Sequence, residues 1–265
     1  MPSVAELLAI YDAQLRGRLP ERLPEGVRVE QDGPLLRFLG FALGGFIGYR
    51  DLGGLGGAEL DELIERQVSV FAERGERFEW KFHAHDRPPD LAQRLRAAGL
   101  IAEEEETVVI APVAGVAVEP LLPEGVSLRL ASDRRDFELI ASMEETVWGD
   151  DHGWLVEMFE GERAVDPDAL VVVIAEAGSE VVSAAWVRFE PGTDFATLWG
   201  GATMPEWRGK GIYRATVAYR ATIAAERGVR FLEVDASADS RPILERLGFV
   251  PVTTTTPFVW SPKRP

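Results

Sequence analysis

The segment Arg208-Gly209-Lys210-Gly211-Ile212-Tyr213-Arg214 packs three basic side chains and two glycines into seven residues, in a chain whose formal net charge is −16. An apolar strand-like run ending in Ala202-Thr203-Met204 precedes it, and a helix-like run follows. A strand, a tight glycine-rich turn and a helix in this order aim successive backbone N–H groups at one point. The helix adds its own unpaired N-terminal N–H groups and the positive end of its dipole. Gly209 and Gly211 permit unusual dihedrals and close backbone approach, and Arg208, Lys210 and Arg214 supply positive charge. This is a site for an anion of pyrophosphate type. Gly200-Gly201 inside the preceding strand predicts a bulge or a close ligand approach.

Two familiar phosphate loops do not fit. A P-loop needs Ser or Thr after Gly-Lys, and Lys210 is followed by Gly211. A dinucleotide fingerprint needs a third glycine where Arg214 stands.

The elements that must position this loop follow from periodicity and turn residues. In the N-terminal half, helices are predicted over 4–16, 59–74 and 90–98. Strands are predicted over 27–31, 35–40, 45–51, 78–83 and 107–113. Residues 112–125, rich in Pro, Ala, Val and Gly, read as a linker. The pattern then restarts: strands over 126–131, 169–177, 180–190, 197–204, 230–236 and 249–260, and helices over 133–148, 153–163, 211–227 and 240–247. An internal repeat supports a duplicated fold. Glu73-Arg74-Gly75-Glu76-Arg77-Phe78 matches Glu226-Arg227-Gly228-Val229-Arg230-Phe231 at five of six positions. Carried back at the same spacing, the basic loop falls on Leu55 to Ala58, with Ala58 opposite Gly211. The glycines of Gly53-Gly54-Leu55-Gly56-Gly57 persist there without basic residues, and Glu59 adds negative charge. The N-terminal copy is therefore not expected to bind the same ligand. The expected domains are 1–113, a linker at 114–125, and 126–265.

The chain has 265 residues and no cysteine, which excludes disulfides, thiolate nucleophiles and Cys-ligated metals. Its acidity disfavours nucleic acid and anionic membranes as partners and suits a cationic amine. No run approaches the ~20 apolar residues of a membrane span, and the first residues do not read as a signal peptide. A cytoplasmic protein, monomeric or homodimeric, is expected. His83 and His85, with Asp86 adjacent, have ligand-like spacing but no third ligand. A structural role is expected for them, and no metal.

The basic loop resembles the Arg/Gln-x-x-Gly-x-Gly/Ala motif of the GNAT N-acetyltransferases through Arg208 and Gly211, and departs from it at Tyr213. Leu198–Met204, Phe231–Ala236 and Ser240–Phe249 resemble the family's fourth strand, fifth strand and closing helix. The resemblance covers about residues 126–260, and the N-terminal half shares only element order. It implies an α/β (α+β) fold of two tandem GNAT-like units, each a mixed, mostly antiparallel sheet with flanking helices. It also implies an acetyl-CoA-dependent N-acetyltransferase acting on a small-molecule or peptide amine. Arg208, Gly209, Lys210, Gly211, Ile212, Tyr213 and Arg214 would hold the pyrophosphate. Ala202, Thr203 and Met204 would pair with the pantetheine arm, and Ser237 stands where the family often has Asn.

Direct transfer needs a base, because free amines with pKa ~10 are mostly protonated at neutral pH. It also needs an N–H donor for the developing oxyanion, which Ala202 or Thr203 can supply. The tyrosine that serves as acid in many relatives is replaced by Leu244. Asp235, Glu144, Glu145 and His152 are the candidates for proton transfer. The missing tyrosine leaves open an alternative, a GNAT-fold module that binds CoA without turnover.

Overall fold

A computed structural model describes residues 2–262; residues 1 and 263–265, included in the expected domain limits, lie outside the described residues. The first half runs α1 (Val4–Gln14), β1 (Arg28–Asp32), β2 (Leu35–Leu39), β3 (Gly45–Gly48), α2 (Gly57–Arg74), β4 (Phe78–His83), α3 (Leu91–Ala97), β5 (Ile101–Ala102) and β6 (Glu106–Pro112). The second runs α4 (Val113–Val116), β7 (Val126–Leu130), α5 (Arg134–Trp148), α6 (Trp154–Val165), β8 (Leu170–Ala177), β9 (Glu180–Phe189), β10 (Phe195–Thr203), α7 (Ile212–Glu226), β11 (Phe231–Ala236), α8 (Arg241–Arg246) and β12 (Val250–Trp260). The predicted elements are present to within a few residues. β5 and α4, at two and four residues, are too short to show a period. Among the described residues no helix is long and apolar enough to cross a membrane.

The chain divides into two compact units that do not follow chain order. Among the described residues the N-terminal unit comprises Pro2–Val108, Asp235–Ala238 and residues 251–262; the other comprises Val109–Val234 and Asp239–Val250.

In the N-terminal unit β1, β2 and β3 are antiparallel neighbours, β3 and β4 run parallel, and β12 lies antiparallel to β4. The hairpin predicted at Asp32-Gly33 forms, with Asp32 opposite Leu35 and Gly33 at φ +58°. Its core joins Leu35, Ile47, Leu63, Phe71, Trp80 and Phe258. α1 starts on a capping box in which Ser3 and Glu6 satisfy each other's backbone N–H.

In the other unit β7, β8, β9 and β10 are antiparallel neighbours and β10 runs parallel to β11. Phe137, Ile140, Phe159, Ile174 and Trp186 form its core. The duplicated order is plain in this pairing. β3-α2-β4 and β10-α7-β11 are both parallel crossovers, and Gly75 and Gly228 both take positive φ after the crossover helix. α2 starts earlier than constant spacing requires, so its N-cap is Gly56 and not Ala58.

His83 and His85 take structural positions in the N-terminal unit. Tyr11 Oη lies 3.0 Å from His83 Nε2, and the His83 N–H donates to Asp86 Oδ2 at 2.8 Å. Burial, reinforced by Arg16 and Lys81, pushes the His83 imidazole down from 6.5 to about 2. The unfolded chain therefore takes a proton near pH 6.5 that the native chain refuses, and stability falls as the pH is lowered from that point. At pH 5 the loss attributable to this residue is about 2 kcal/mol. Chemical denaturation of wild type and His83→Gln between pH 7 and 5 checks this (pH values chosen around the ordinary histidine pKa of about 6.5). The variant is expected to show the shallower pH dependence, and parallel curves would assign the acid sensitivity elsewhere.

Candidate functional site

β10 and β11 are paired only at Phe195–Phe231, Ala196–Leu232 and Thr197–Glu233. β10 then runs on to Thr203 with its β11-facing edge unpartnered among the described residues. The predicted bulge lies in this stretch: the β9 register shifts between Gly200 and Ala202, and Gly200 and Gly201 take φ +66° and +96°. Neither position has room for a side chain. A Cβ on Gly200 would come within 2.3 Å of the Trp186 ring, and one on Gly201 within 2.6 Å of the Tyr213 ring. The departure of Tyr213 from the family pattern thus has a local explanation, since its ring fills the space over Gly201.

Beyond the bulge the backbone groups alternate in direction. Met204 N–H donates to Val182 O on β9 at 2.9 Å, and Ala202 O accepts from Ser183 Oγ at 2.7 Å. Thr203, between them, turns its backbone to the open edge, where its carbonyl accepts from Arg208 Nε at 3.0 Å. A 3-10 turn at Pro205–Trp207 leads to Gly211, the N-cap of α7 at φ +88°, and no side chain caps the helix. The first N–H groups of α7 therefore point outward without an intrahelical acceptor. Three exposed cations surround this end. Arg208 is anchored to Thr203, Lys210 Nζ sits 4.3 Å from the Trp207 ring centroid, and the Arg214 guanidinium folds back over Gly211. Among the described residues none of the three is ion-paired.

Ala202 to Met204 and Arg208 to Arg214 are thus brought to one place in the C-terminal unit. Glu145 and His152 meet each other in the same unit, the His152 N–H donating to Glu145 Oε1 at 3.3 Å, with Glu145 exposed. Glu144 differs from its neighbour. It is 4% exposed, its Oε2 accepts from Trp148 Nε1 at 2.7 Å, and its Oε1 is buried without a partner. Burial raises its pKa above the ordinary carboxylate value, against the opposing pull of Trp148 and His152. Asp235 and Ser237 belong to the N-terminal unit. Asp235 is ion-paired with Lys81, and Ser237 lies exposed after β11. Trp186 is buried, whereas Trp148 and Trp199 are exposed, Trp199 beneath the Arg188 guanidinium.

Arg220 on α7 is the functional neighbour that sequence reasoning missed. It is 1% exposed and has no acid partner among its hydrogen bonds. Its NH1 donates to Trp186 O at 2.9 Å and Trp199 O at 3.0 Å, so it closes the sheet where the bulge opens it. Burial pulls its pKa down to about 10, partly offset by Tyr213. Its spacing from Ile212, Thr216 and Ala224, which share one helical face, is the signal that marks it as inward-facing.

The fold sets an open strand edge beside an uncapped, basic helix start. Solved structures share that fold over nearly the whole chain. A GCN5-related N-acetyltransferase from Kribbella flavida superposes with TM-score 0.67 at 17% identity, covering 98% of this chain and 95% of that one. One from Sphaerobacter thermophilus gives 0.63 at 14%, covering 98% and 85%. A tandem GNAT protein from the clavulanic acid biosynthesis pathway gives 0.64 at 13%, covering 97% and 94%. No curated protein sequence matches the chain. Residues 134–249 match the model of the Acetyltransferase (GNAT) family.

Proposed function

We propose that the chain is an acetyl-CoA-dependent N-acetyltransferase that acts by direct transfer to a small-molecule or peptide amine. The observation that carries this reading is the uncapped start of α7, ringed by three cations without acid partners, beside the open edge of β10. These residues fit a pyrophosphate: the N–H groups of Ile212 to Arg214 and the side chains of Arg208, Lys210 and Arg214 would hold it. Bound acetyl-CoA supplies the acetyl group as a thioester. Thr203 N–H, which alternation turns to the open edge, would orient and polarise the thioester carbonyl. The N–H of Ala202 turns toward β9 and is the weaker candidate.

We assign proton removal from the amine to Glu144. It lies on α5, which packs against β9 and β10, and it offers a buried, unpartnered oxygen with a raised pKa. Asp235 has its charge engaged by Lys81 and suits this task less. With Leu244 buried in the core, no phenol stands at the family's acid position, and a thiol of pKa ~8.5 can leave without one. The acidic surface suits a cationic acceptor.

Thiol release from acetyl-CoA across a panel of primary amines tests the reading. Turnover with at least one amine is expected. Glu144→Gln is expected to lower kcat about a hundredfold while leaving acetyl-CoA affinity unchanged. Acetyl-CoA binding without turnover on any amine would replace the enzyme by a CoA-holding module, and absence of binding would remove the site itself.

A further inference from the structure

The N-terminal unit contains a cavity of about 480 Å³ that the reading above does not use. Arg16, Arg50, Arg87, Leu52, Leu55 and Pro88 are among its lining residues. We propose that this cavity is a second ligand site and that it takes a small monocarboxylate with an apolar body.

The floor is fixed by a buried network. Arg16, with its side chain 4% exposed, donates to Asp86 Oδ1 at 2.6 Å and to Asp12 Oδ1 at 3.3 Å, and lies 3.0 Å from His85 Nε2. Tyr49 Oη donates to Asp86 Oδ2 at 2.5 Å, and His85 Nδ1 lies 2.9 Å from Thr253 Oγ1. The acids at the cavity are satisfied from within the protein: Asp86 and Asp12 by Arg16, and Asp51 by the Gly53 N–H at 2.9 Å. Two of the cations are not. Arg50 meets no acid among the described residues, and Arg87 reaches only the Asp86 carbonyl, at 3.4 Å. Arg16 Nε, buried at the same cavity, also has no acceptor. Two exposed arginines without acid partners thus border a space whose acids already have donors of their own.

The planar guanidinium fork matches a carboxylate. A pyrophosphate fits poorly, because Glu59 stands in the first turn of α2 and Asp12 and Asp51 flank the space, all repelling a multiply charged anion. Ala9, Leu52, Leu55 and Pro88 give the remaining wall an apolar character, and the volume lies within the range of small-molecule sites.

The test uses the full chain with hexanoate, benzoate, phenylacetate and N-acetylglycine. Each is compared with its primary amide and with inorganic phosphate, by ligand-observed NMR and calorimetric titration. At least one monocarboxylate is expected to bind saturably and about tenfold or more tighter than its amide and phosphate. In the double variant Arg50→Gln/Arg87→Gln that affinity should fall about tenfold or more. The variant's melting temperature and acetyl-CoA affinity should be unchanged, which separates this site from the one at α7. Failure of every monocarboxylate to bind, equal binding of amide or phosphate, or unchanged affinity in the double variant would each overturn the proposal.

Discussion

Gly201→Val is expected to abolish acetyl-CoA binding and to destabilise the protein by about 2–6 kcal/mol. Two costs add at this position. Gly201 holds φ +96°, a conformation that β-branched residues reach only with strain. Its Cβ would also enter the Tyr213 ring at 2.6 Å, and that ring is held on α7 next to the N-cap. Relief requires either flattening the bulge or displacing Tyr213, and each moves Thr203 away from the open edge. Against typical total stabilities of about 5–15 kcal/mol this is a severe loss. Denaturant titration and calorimetric titration with acetyl-CoA measure the two effects. Tyr213→Ala on the Gly201→Val background removes the clash but not the strain, so only part of the stability should return. Wild-type stability and affinity in the single variant would show that the bulge tolerates a side chain and is not the feature that sets the edge.

Arg220→Met is expected to cost about 2–4 kcal/mol. Two effects oppose each other. Removing the guanidinium relieves a buried charge, whose desolvation is what depresses its pKa to about 10. Removing it also strips Trp186 O and Trp199 O of the donor they share. A buried carbonyl left unpaired costs roughly 1–3 kcal/mol, and two are uncovered, so the loss outweighs the relief. Methionine keeps most of the volume, which isolates hydrogen bonding from packing. Arg220→Lys should not restore stability, because a single ammonium on a shorter stem cannot reach the helix carbonyl of Thr216 and both strand carbonyls together. Denaturation midpoints of the two variants decide the matter. A methionine variant as stable as wild type would mean that the carbonyls find other donors.

What the sequence determined by itself was local. The glycine spacing of Arg208 to Gly211, the strand before it and the helix after it fix a turn with clustered N–H donors whatever the rest of the chain does, because those donors come from consecutive residues. The Gly200-Gly201 pair similarly announced the bulge. The repeat at Gly75 and Gly228 exposed the duplicated order, since both mark the same helix-to-strand turn. Side-chain partnerships between distant residues had no local signal. Glu144 and Glu145 are adjacent and chemically alike, and only packing of α5 buries one and exposes the other. Asp235 read as a candidate for proton transfer, and folding sets Lys81, from a strand far earlier in the chain, beside it. Arg220 defied the default that arginine faces water, because the bulge leaves strand carbonyls that an inward guanidinium satisfies. The cavity at Arg16, Arg50 and Arg87 draws on three separate connecting segments, so no single stretch of sequence encodes it. Backbone donors are set by neighbours along the chain, whereas burial and charge pairing depend on residues that only the tertiary structure makes neighbours.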